Sequence, residues 1–338
     1  MRNLGRVGMI FNGGGLAGCY SVGLVKALAE RGVRPDYVQG VSVGALTSAK
    51  LISTDWNVAE VERLWLKIQE LGPSSIFNKW DISKNVPLLK PSIFSEKNIF
   101  NLIIKNLDFR AIADSRIEYH IIANNRNKKK ITAFSNHDPE FLKDPTRPEK
   151  ILSGAIGLYG VLPSALIDGD WYGDGMGFTL SEAIKARCDT IFIFMNDHFS
   201  QTPRNFGELP FYRQFVSGFH DIVMKLDERE IKYARGRGYD ILENNPSGRF
   251  EDANPFHKKI RRRIKHLIDE TVEAAKNDGD VADIFSPHRI IILTPPSPIP
   301  TLHTLGFQKD DPEIGYPGDV NLAIEQCYKI SDEFWEKI

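Results

Sequence analysis

The chain has 338 residues, of which 42% are hydrophobic and 26% charged, and its formal net charge at pH 7 is -1. This length and composition are ordinary for a globular protein and allow one large core within a single elaborated domain. A charge balance this close to neutrality excludes a general affinity for nucleic acid, so we expect no nucleic-acid partner.

Cysteine usage and hydropathy bear on where the protein works. The three cysteines, Cys19, Cys188 and Cys327, are scattered and form no C-x-x-C pattern, so we expect buried free thiols in a reducing compartment and no bound metal. A first strand almost at the N-terminus predicts no signal peptide, and no apolar run reaches the length of about 18 residues that a membrane span needs. The expected location is the cytoplasm.

The first predicted strand and helix enclose a glycine-rich loop. Val7–Phe11 is a short apolar run typical of a buried parallel strand, and residues 12–18 form the loop before a helical pattern. Such a loop offers backbone N–H groups to an anion, either a phosphate or the oxyanion formed when a serine attacks an ester. The spacing of Gly13, Gly15 and Gly18 also fits the dinucleotide fingerprint, although no acidic residue clearly ends a second strand about twenty residues later.

The stretch Gly40-Val41-Ser42-Val43-Gly44 lies between a strand-like run at 37–38 and a helix-like run at 45–52. A G-x-S-x-G turn in this position exposes the serine Oγ, and its glycines leave room for a tight backbone and for substrate. The N-terminus of the following helix favours developing negative charge. The pattern predicts a nucleophile elbow at Ser42. The alternative is a glycine-flanked turn in which this serine has no role.

A polar, glycine-rich segment at residues 166–176 is predicted to be a turn. It precedes a predicted helix, Leu180–Ala186, and a predicted strand, Thr190–Phe194. Asp174 lies in this turn, where a carboxylate can reach an active site. On its own, an Asp-Gly pair is usually only a turn signal.

Together, the order and spacing of these motifs resemble the patatin-like phospholipase family of lipid acyl hydrolases. The family's G-G-G-x-[R/K]-G loop, G-x-S-x-G elbow and D-G-[G/A] motif are matched in turn by Gly13, Gly14, Gly15 and Gly18, by Gly40, Ser42 and Gly44, and by Asp174 and Gly175. The segment from 153 to 163 also resembles the small-residue segment that leads into the family's aspartate motif. The run at 289–296, strand-like and then proline-rich, resembles a late core strand of the family. The resemblance implies a three-layer α/β/α sandwich around a mostly parallel sheet, with helical insertions.

The resemblance implies a Ser–Asp dyad for hydrolysis of lipid or other carboxylic esters, as in a phospholipase A. Ser42 would be the nucleophile, and Asp174 would take its proton directly. A free aspartate has a pKa near ~4, and partial burial would raise that pKa. Backbone N–H groups of the Gly13–Gly15 loop would stabilise the oxyanion. This chemistry requires no metal and no organic cofactor.

Two residues depart from the family pattern, and two alternatives stay open. Ala17 stands where the family usually has Arg or Lys, and Met176 replaces the second small residue after the aspartate. These two departures suggest the first alternative, a lipid- or partner-binding protein that kept the fold and lost activity. Retention of both dyad residues argues against this alternative. The other alternative is a Ser-His-Asp triad on an α/β-hydrolase fold, whose histidine would follow Asp174. Its candidates are His198, His220, His288 and His303.

We expect one domain over residues 1–338, with its core formed by 1–71, 116–195 and 286–320. Residues 72–115 are predicted to be a loop-and-helix excursion, and 200–285 a helical insertion. A hairpin is predicted at 117–134, with its turn at 124–130.

Two parts of the insertion bear on lipid contact. Aromatic residues around Pro210 are predicted to pack on the core, or alternatively to line an acyl-chain pocket. The helix predicted at residues 256–268 is amphipathic and basic. An ordinary solvated helix is the simpler interpretation, and peripheral contact with an anionic membrane is the alternative. The number of subunits does not follow from the sequence.

Overall fold

A mixed, mostly parallel β-sheet forms the centre of the molecule. The computed structural model describes residues 3–72, 75–76, 78–85, 87–88, 90–196, 229–235, 239–244, 289–295, 302–303, 306–307 and 320–336. The strands of the central sheet are β1 (Val7–Phe11), β2 (Tyr37–Val41), β3 (Glu118–Asn125), β4 (Lys130–Ser135), β5 (Ala165–Ile167), β6 (Asp170–Asp174), β7 (Thr190–Phe194), β8 (Ile241–Glu243) and β9 (Arg289–Leu293). A separate two-stranded sheet consists of β10 (Leu302–His303) and β11 (Gly306–Phe307).

The nine-stranded sheet has the order β5-β6-β3-β2-β1-β7-β9-β8, with β4 paired to β3. The pairs β1–β2, β1–β7, β2–β3, β7–β9 and β8–β9 are parallel. The pairs β3–β4, β3–β6 and β5–β6 are antiparallel.

Helices cover both faces of the sheet. They are α1 (Cys19–Glu30), α2 (Val43–Ser53), α3 (Val58–Leu71), α4 (Lys79–Asn85), α5 (Lys97–Leu102), α6 (Phe109–Asp114), α7 (Arg147–Ala155), α8 (Leu180–Lys185) and α9 (Val320–Trp335). Side chains along a strand alternate between the two faces of the sheet. Met9 and Phe11 pack on one face, in a core with α1, α2, α3, α7 and α9. Ile10 packs on the other face, in a core with α8 and the helical residues 229–235. The predicted three-layer α/β/α sandwich is confirmed.

The C-terminal ends of β2 and β6 meet along one edge of β3. On that edge, Val41 pairs with Ile122 in parallel register, and the next residue, Ala123, pairs with Asp174 in antiparallel register. β4 occupies the opposite edge of the same part of β3. The two strands therefore approach from opposite directions, which brings the residue after Val41 next to the last residue of β6.

The segment at 166–176, predicted to be a polar turn, is instead largely a β-hairpin. Its turn is Asp168-Gly169, whose φ angles are 50° and 88°, as in the tight two-residue turns that join antiparallel strands. Asp174 is therefore the last residue of a strand rather than part of a loop. The sequence prediction failed because each strand has only three or five residues and the apolar alternation is too short to recognise.

Other predicted elements agree with the structure apart from their ends. β1 and β7 have the predicted limits, α2 begins at Val43 instead of 45, and β3 continues to Asn125. β8 lies inside the range predicted to be a helical insertion and pairs with β9. The aromatic cluster around Pro210 and the basic helix at 256–268 lie outside the described residues. In the ranges described, no helix is both long and apolar enough to cross a membrane.

Candidate active site

Ser42 sits in a strained turn between β2 and α2. Its φ and ψ angles are 54° and -128°, a conformation that is unfavourable for a residue with a side chain and characteristic of a nucleophile elbow. The turn is closed by the Ala45 N–H, which donates to the Ser42 carbonyl at 2.9 Å. The serine side chain is thereby held at the C-terminal edge of the sheet.

The glycines on either side of Ser42 are required by close packing. A Cβ atom on Gly44 would collide with the Phe11 carbonyl oxygen, and one on Gly40 would lie 2.5 Å from the Cα of Ala45. Both positions are filled by backbone, which cannot move aside as a flexible side chain can. The small residues of the motif therefore allow α2 to pack directly against β1 and β2.

Asp174 lies next to Ser42 and is almost completely buried. The residue is 5% exposed, and the neighbouring Ser42 hydroxyl is one of the groups that lower the pKa of its carboxyl. Its Oδ1 also accepts the Met176 N–H at 2.8 Å, and its own backbone N–H donates to the Gly157 carbonyl at 3.1 Å. Met176 itself has a φ of 68°, so the backbone bends sharply just after Asp174. These contacts fix the carboxylate facing the serine.

Burial raises the pKa of Asp174 to about 6, because a desolvated carboxylate is less stable in its charged form. The Ser42 hydroxyl, the Met176 N–H and the positive charge of Arg126 act in the opposite direction and limit the rise in pKa. A carboxylate with this pKa is mostly ionised at neutral pH yet more basic than an exposed aspartate. It is therefore suited to accept a proton from a neighbouring hydroxyl.

Arg126 is a charged neighbour of the site that the sequence did not single out. Its Nη2 donates to the Gly157 carbonyl at 3.0 Å, the same carbonyl that accepts the Asp174 N–H. Its guanidinium also lies 4.7 Å from the centre of the Tyr159 ring. The sequence predicted only that this residue lies in a hairpin turn. Its position beside the site was not predicted, because the residues that it contacts are distant in the chain and form no local pattern.

The glycine-rich loop lies directly beside Ser42. A Cβ atom on Gly13 would lie 3.2 Å from the Ser42 Cβ and 3.8 Å from its Oγ. The Gly13 N–H is already engaged, because it donates to the Asn12 Oδ1 at 2.8 Å. By contrast, the N–H groups of Gly14 and Gly15 have no acceptor among the residues that the structure describes. Gly14 and Gly15, with φ angles of 145° and 58°, turn the loop into a 3-10 turn at Gly15–Gly18.

The remaining motif residues occupy tightly packed positions. A Cβ atom on Gly18 would lie 2.7 Å from Val43 Cγ2, and one on Gly175 would lie 3.0 Å from Ile122 Cγ2. The two residues that depart from the family pattern are both buried: Ala17 is 4% and Met176 is 6% exposed. A buried Ala17 leaves the loop without a cation at that position.

Two histidine side chains fall within the described ranges, and both contact other groups. His120 lies 3.2 Å from Glu118 and 3.4 Å from Glu182, and His137 contacts the Ser115 carbonyl at 2.9 Å. His198, His220 and His288 lie outside the described residues. His303 is in β10, whose backbone comes close to the 3-10 turn at Gly15–Gly18.

Among curated proteins, none matches this chain. Among solved structures, the crystal structure of VipD from Legionella pneumophila is similar at 10% sequence identity, with 98% of this chain and 67% of that chain covered and a TM-score of 0.43. Residues 9–176 match the family model described as patatin-like phospholipase, and through this domain the chain belongs to the patatin-like phospholipase family.

Proposed function

We propose that this protein is a serine hydrolase of the phospholipase A or esterase type that cleaves carboxylic esters of lipids. Family membership supports lipid acyl hydrolase activity in general. The observation that carries the finer proposal is the adjacency of Ser42 and the buried Asp174 where β2 and β6 meet. Retention of both side chains in this arrangement favours an active enzyme over a binding protein that has lost activity.

The proposed reaction has two half-reactions that share one base. Asp174 accepts the Ser42 proton while Oγ attacks the ester carbonyl carbon, and the tetrahedral intermediate collapses to an acyl-serine. Asp174 returns its proton to the departing alcohol oxygen. A water molecule then gives a proton to the same carboxylate and attacks the acyl carbon, which releases the fatty acid and restores Ser42.

The oxyanion is proposed to bind to the glycine-rich loop. The N–H groups of Gly14 and Gly15 are the better donors, since the Gly13 N–H already donates to Asn12. The N-terminus of α2, directly after Ser42, adds a favourable dipole. Each donor of this kind lowers the barrier by about 3 kcal/mol. Because these donors belong to the backbone, they do not depend on the cation that Ala17 replaces.

Hydrolysis assays with matched variants test this proposal. The full chain should hydrolyse a soluble p-nitrophenyl ester and release fatty acid from phosphatidylcholine vesicles. Ser42→Ala should abolish both activities, whereas Ser53→Ala should not. Ser53 is a suitable control because it also lies in α2, and its hydroxyl donates to the Lys50 carbonyl at 2.9 Å. Unchanged activity in Ser42→Ala would overturn the proposal, as would lipid binding by the wild-type chain without any ester cleavage.

A further inference from the structure

A cavity lies beside β5, at the end of the sheet that also carries Asp174. Its volume is about 390 Å³, and its wall is formed by α5, by α7 and by the segment 163–166 at the start of β5. In the hairpin, Ala165 pairs with Tyr172, two residues before Asp174 on the neighbouring strand. With strands about 4.8 Å apart and a rise of about 3.3 Å per residue, the Cα atoms of Ala165 and Asp174 are roughly 8 Å apart.

The wall of the cavity also contacts the backbone that supports Asp174. Pro163 lines the cavity, and a Cβ atom on Gly157 would lie 2.6 Å from the Pro163 carbonyl oxygen. The carbonyl of the same Gly157 accepts the Asp174 N–H at 3.1 Å. The cavity is therefore within reach of a molecule whose ester group lies at Ser42.

Two glutamates give the cavity negative charge. Glu96 directly precedes α5, Glu149 lies in the first turn of α7, and both residues are half-buried. Neither carboxylate has an ion pair or a side-chain hydrogen bond with a residue that the structure describes. Lys150, which also lines the cavity, pairs with Asp144 at 3.3 Å. It therefore does not neutralise the two glutamates.

An aromatic ring and two hydroxyl groups complete the polar part of the lining. Phe100 lies one helical turn after Glu96, because its N–H donates to the Glu96 carbonyl at 2.8 Å, and the residue is half-buried. Ser153 and Ser164 contribute the hydroxyl groups. Carboxylates beside an accessible aromatic ring bind an organic ammonium group, by charge and by cation–π attraction. We call this site the Glu96–Glu149 cavity.

We propose that the Glu96–Glu149 cavity binds the ammonium group of a zwitterionic phospholipid, choline or ethanolamine, while the ester of the same lipid lies at Ser42; this inference rests on the proposed function. A glycerol phosphate joins the ester to the ammonium group in such a lipid. This tether is long enough to cover the short separation between the cavity and Asp174.

An ammonium group fits the Glu96–Glu149 cavity better than other ligands do. A hydrocarbon chain would deprive two carboxylates of water without giving them a partner, which is costly. A phosphate or another anion would be repelled by them. A divalent metal ion needs several oxygen ligands, and no group of three His, Cys, Asp or Glu side chains among the described residues could hold one.

The headgroup preference of the full chain tests this inference. Hydrolysis is compared for phosphatidylcholine and phosphatidylglycerol with the same acyl chains, in mixed micelles with a neutral detergent. The wild type should favour phosphatidylcholine in kcat/KM. Glu96→Gln/Glu149→Gln should lower the ratio of the two kcat/KM values about tenfold, at about threefold per carboxylate. Phe100→Leu should lower it about threefold. Because the same molecules hydrolyse both substrates, partial misfolding of a variant cancels in this ratio.

A control matched in charge comes from α3, which packs on α1 and α9. Glu60→Gln/Glu70→Gln removes two carboxylates that do not line the cavity, so it should keep the wild-type ratio. Glu149 also lies in the first turn of α7, where a carboxylate stabilises the helix. Glu96→Gln alone leaves that helix unchanged and should still lower the ratio about threefold.

Ligand-observed NMR of the full chain supplies a readout that needs no catalysis. The wild type should bind glycerophosphocholine but not glycerophosphoglycerol, and Glu96→Gln/Glu149→Gln should weaken this binding about tenfold. Ester hydrolysis with the wild-type ratio in Glu96→Gln/Glu149→Gln overturns the cavity assignment but not the enzyme. Glutamate-dependent binding in a chain that hydrolyses no ester supports the cavity and refutes the proposed function. Choline chloride that binds as tightly as glycerophosphocholine, without preference for phosphatidylcholine in hydrolysis, assigns the cavity to a free organic cation and overturns the headgroup site.

Discussion

Replacing Asp174 with asparagine should abolish turnover and stabilise the fold. The pKa of this carboxyl rises from 3.8 to about 6 on folding, so the folded protein binds its proton more tightly than the unfolded chain does. Each tenfold change in proton affinity corresponds to about 1.4 kcal/mol, so the ionised carboxylate destabilises the folded state by about 3 kcal/mol at pH 8. An asparagine removes the charge and keeps an oxygen for the Met176 N–H.

The gain in stability should depend on pH in a defined direction. A raised aspartate pKa means that the destabilisation is absent below pH 3.8, grows between pH 3.8 and about 6, and is complete above that range. Urea unfolding should therefore show Asp174→Asn more stable than the wild type by about 3 kcal/mol at pH 8 and by roughly half as much at pH 5.

A carboxylate on the same strand provides the control. Asp170 lies in β6 as well, but its pKa is lowered by hydrogen bonds from Lys128 and Asn125, so Asp170→Asn should not stabilise the protein. Equal unfolding free energies for wild type and Asp174→Asn at pH 8 would refute the reasoning. A gain of the same size at pH 8 and pH 5 would show that it does not come from ionisation of Asp174.

Three further changes have defined outcomes. Gly44→Ala places a Cβ against the Phe11 carbonyl oxygen and should lower the unfolding free energy by about 3 kcal/mol in urea titrations; an unchanged midpoint would contradict the packing. Arg126→Met removes a charge that lowers the Asp174 pKa, so the acid limb of the kcat/KM profile should move to higher pH, whereas Arg126→Lys should restore its position. His303→Ala should retain ester hydrolysis within about twofold, whereas a triad would lose about 10⁴-fold.

The sequence predicted best those elements whose pattern is local. Val7–Phe11 and Thr190–Phe194 are uninterrupted apolar runs between turn residues, and both strands have the predicted limits. The turn around Ser42 was predicted because glycine and serine spacing reflects the backbone directly. Very short elements, such as β5 and β6, were missed because tertiary pairing rather than a recognisable local pattern forms them.

Contacts between distant residues could not be predicted from one sequence. The register that brings Val41 and Asp174 to neighbouring positions on β3 depends on the assembled sheet. The shared Gly157 carbonyl, which accepts from both Arg126 and the Asp174 N–H, likewise joins separate segments of the chain. The engagement of the Gly13 N–H by Asn12 is different, since an asparagine before a glycine loop is a local signal that could have been recognised.

Covalent labelling tests the central claim, a nucleophilic Ser42 activated by Asp174, most directly. The wild-type chain should react with a fluorophosphonate at one site, which peptide mass mapping should assign to Ser42, and activity should fall in proportion to labelling. Asp174→Asn should react much more slowly, because the base that removes the hydroxyl proton is lost. Labelling of another residue in parallel with loss of activity, or full ester hydrolysis by protein labelled completely at Ser42, would contradict the account.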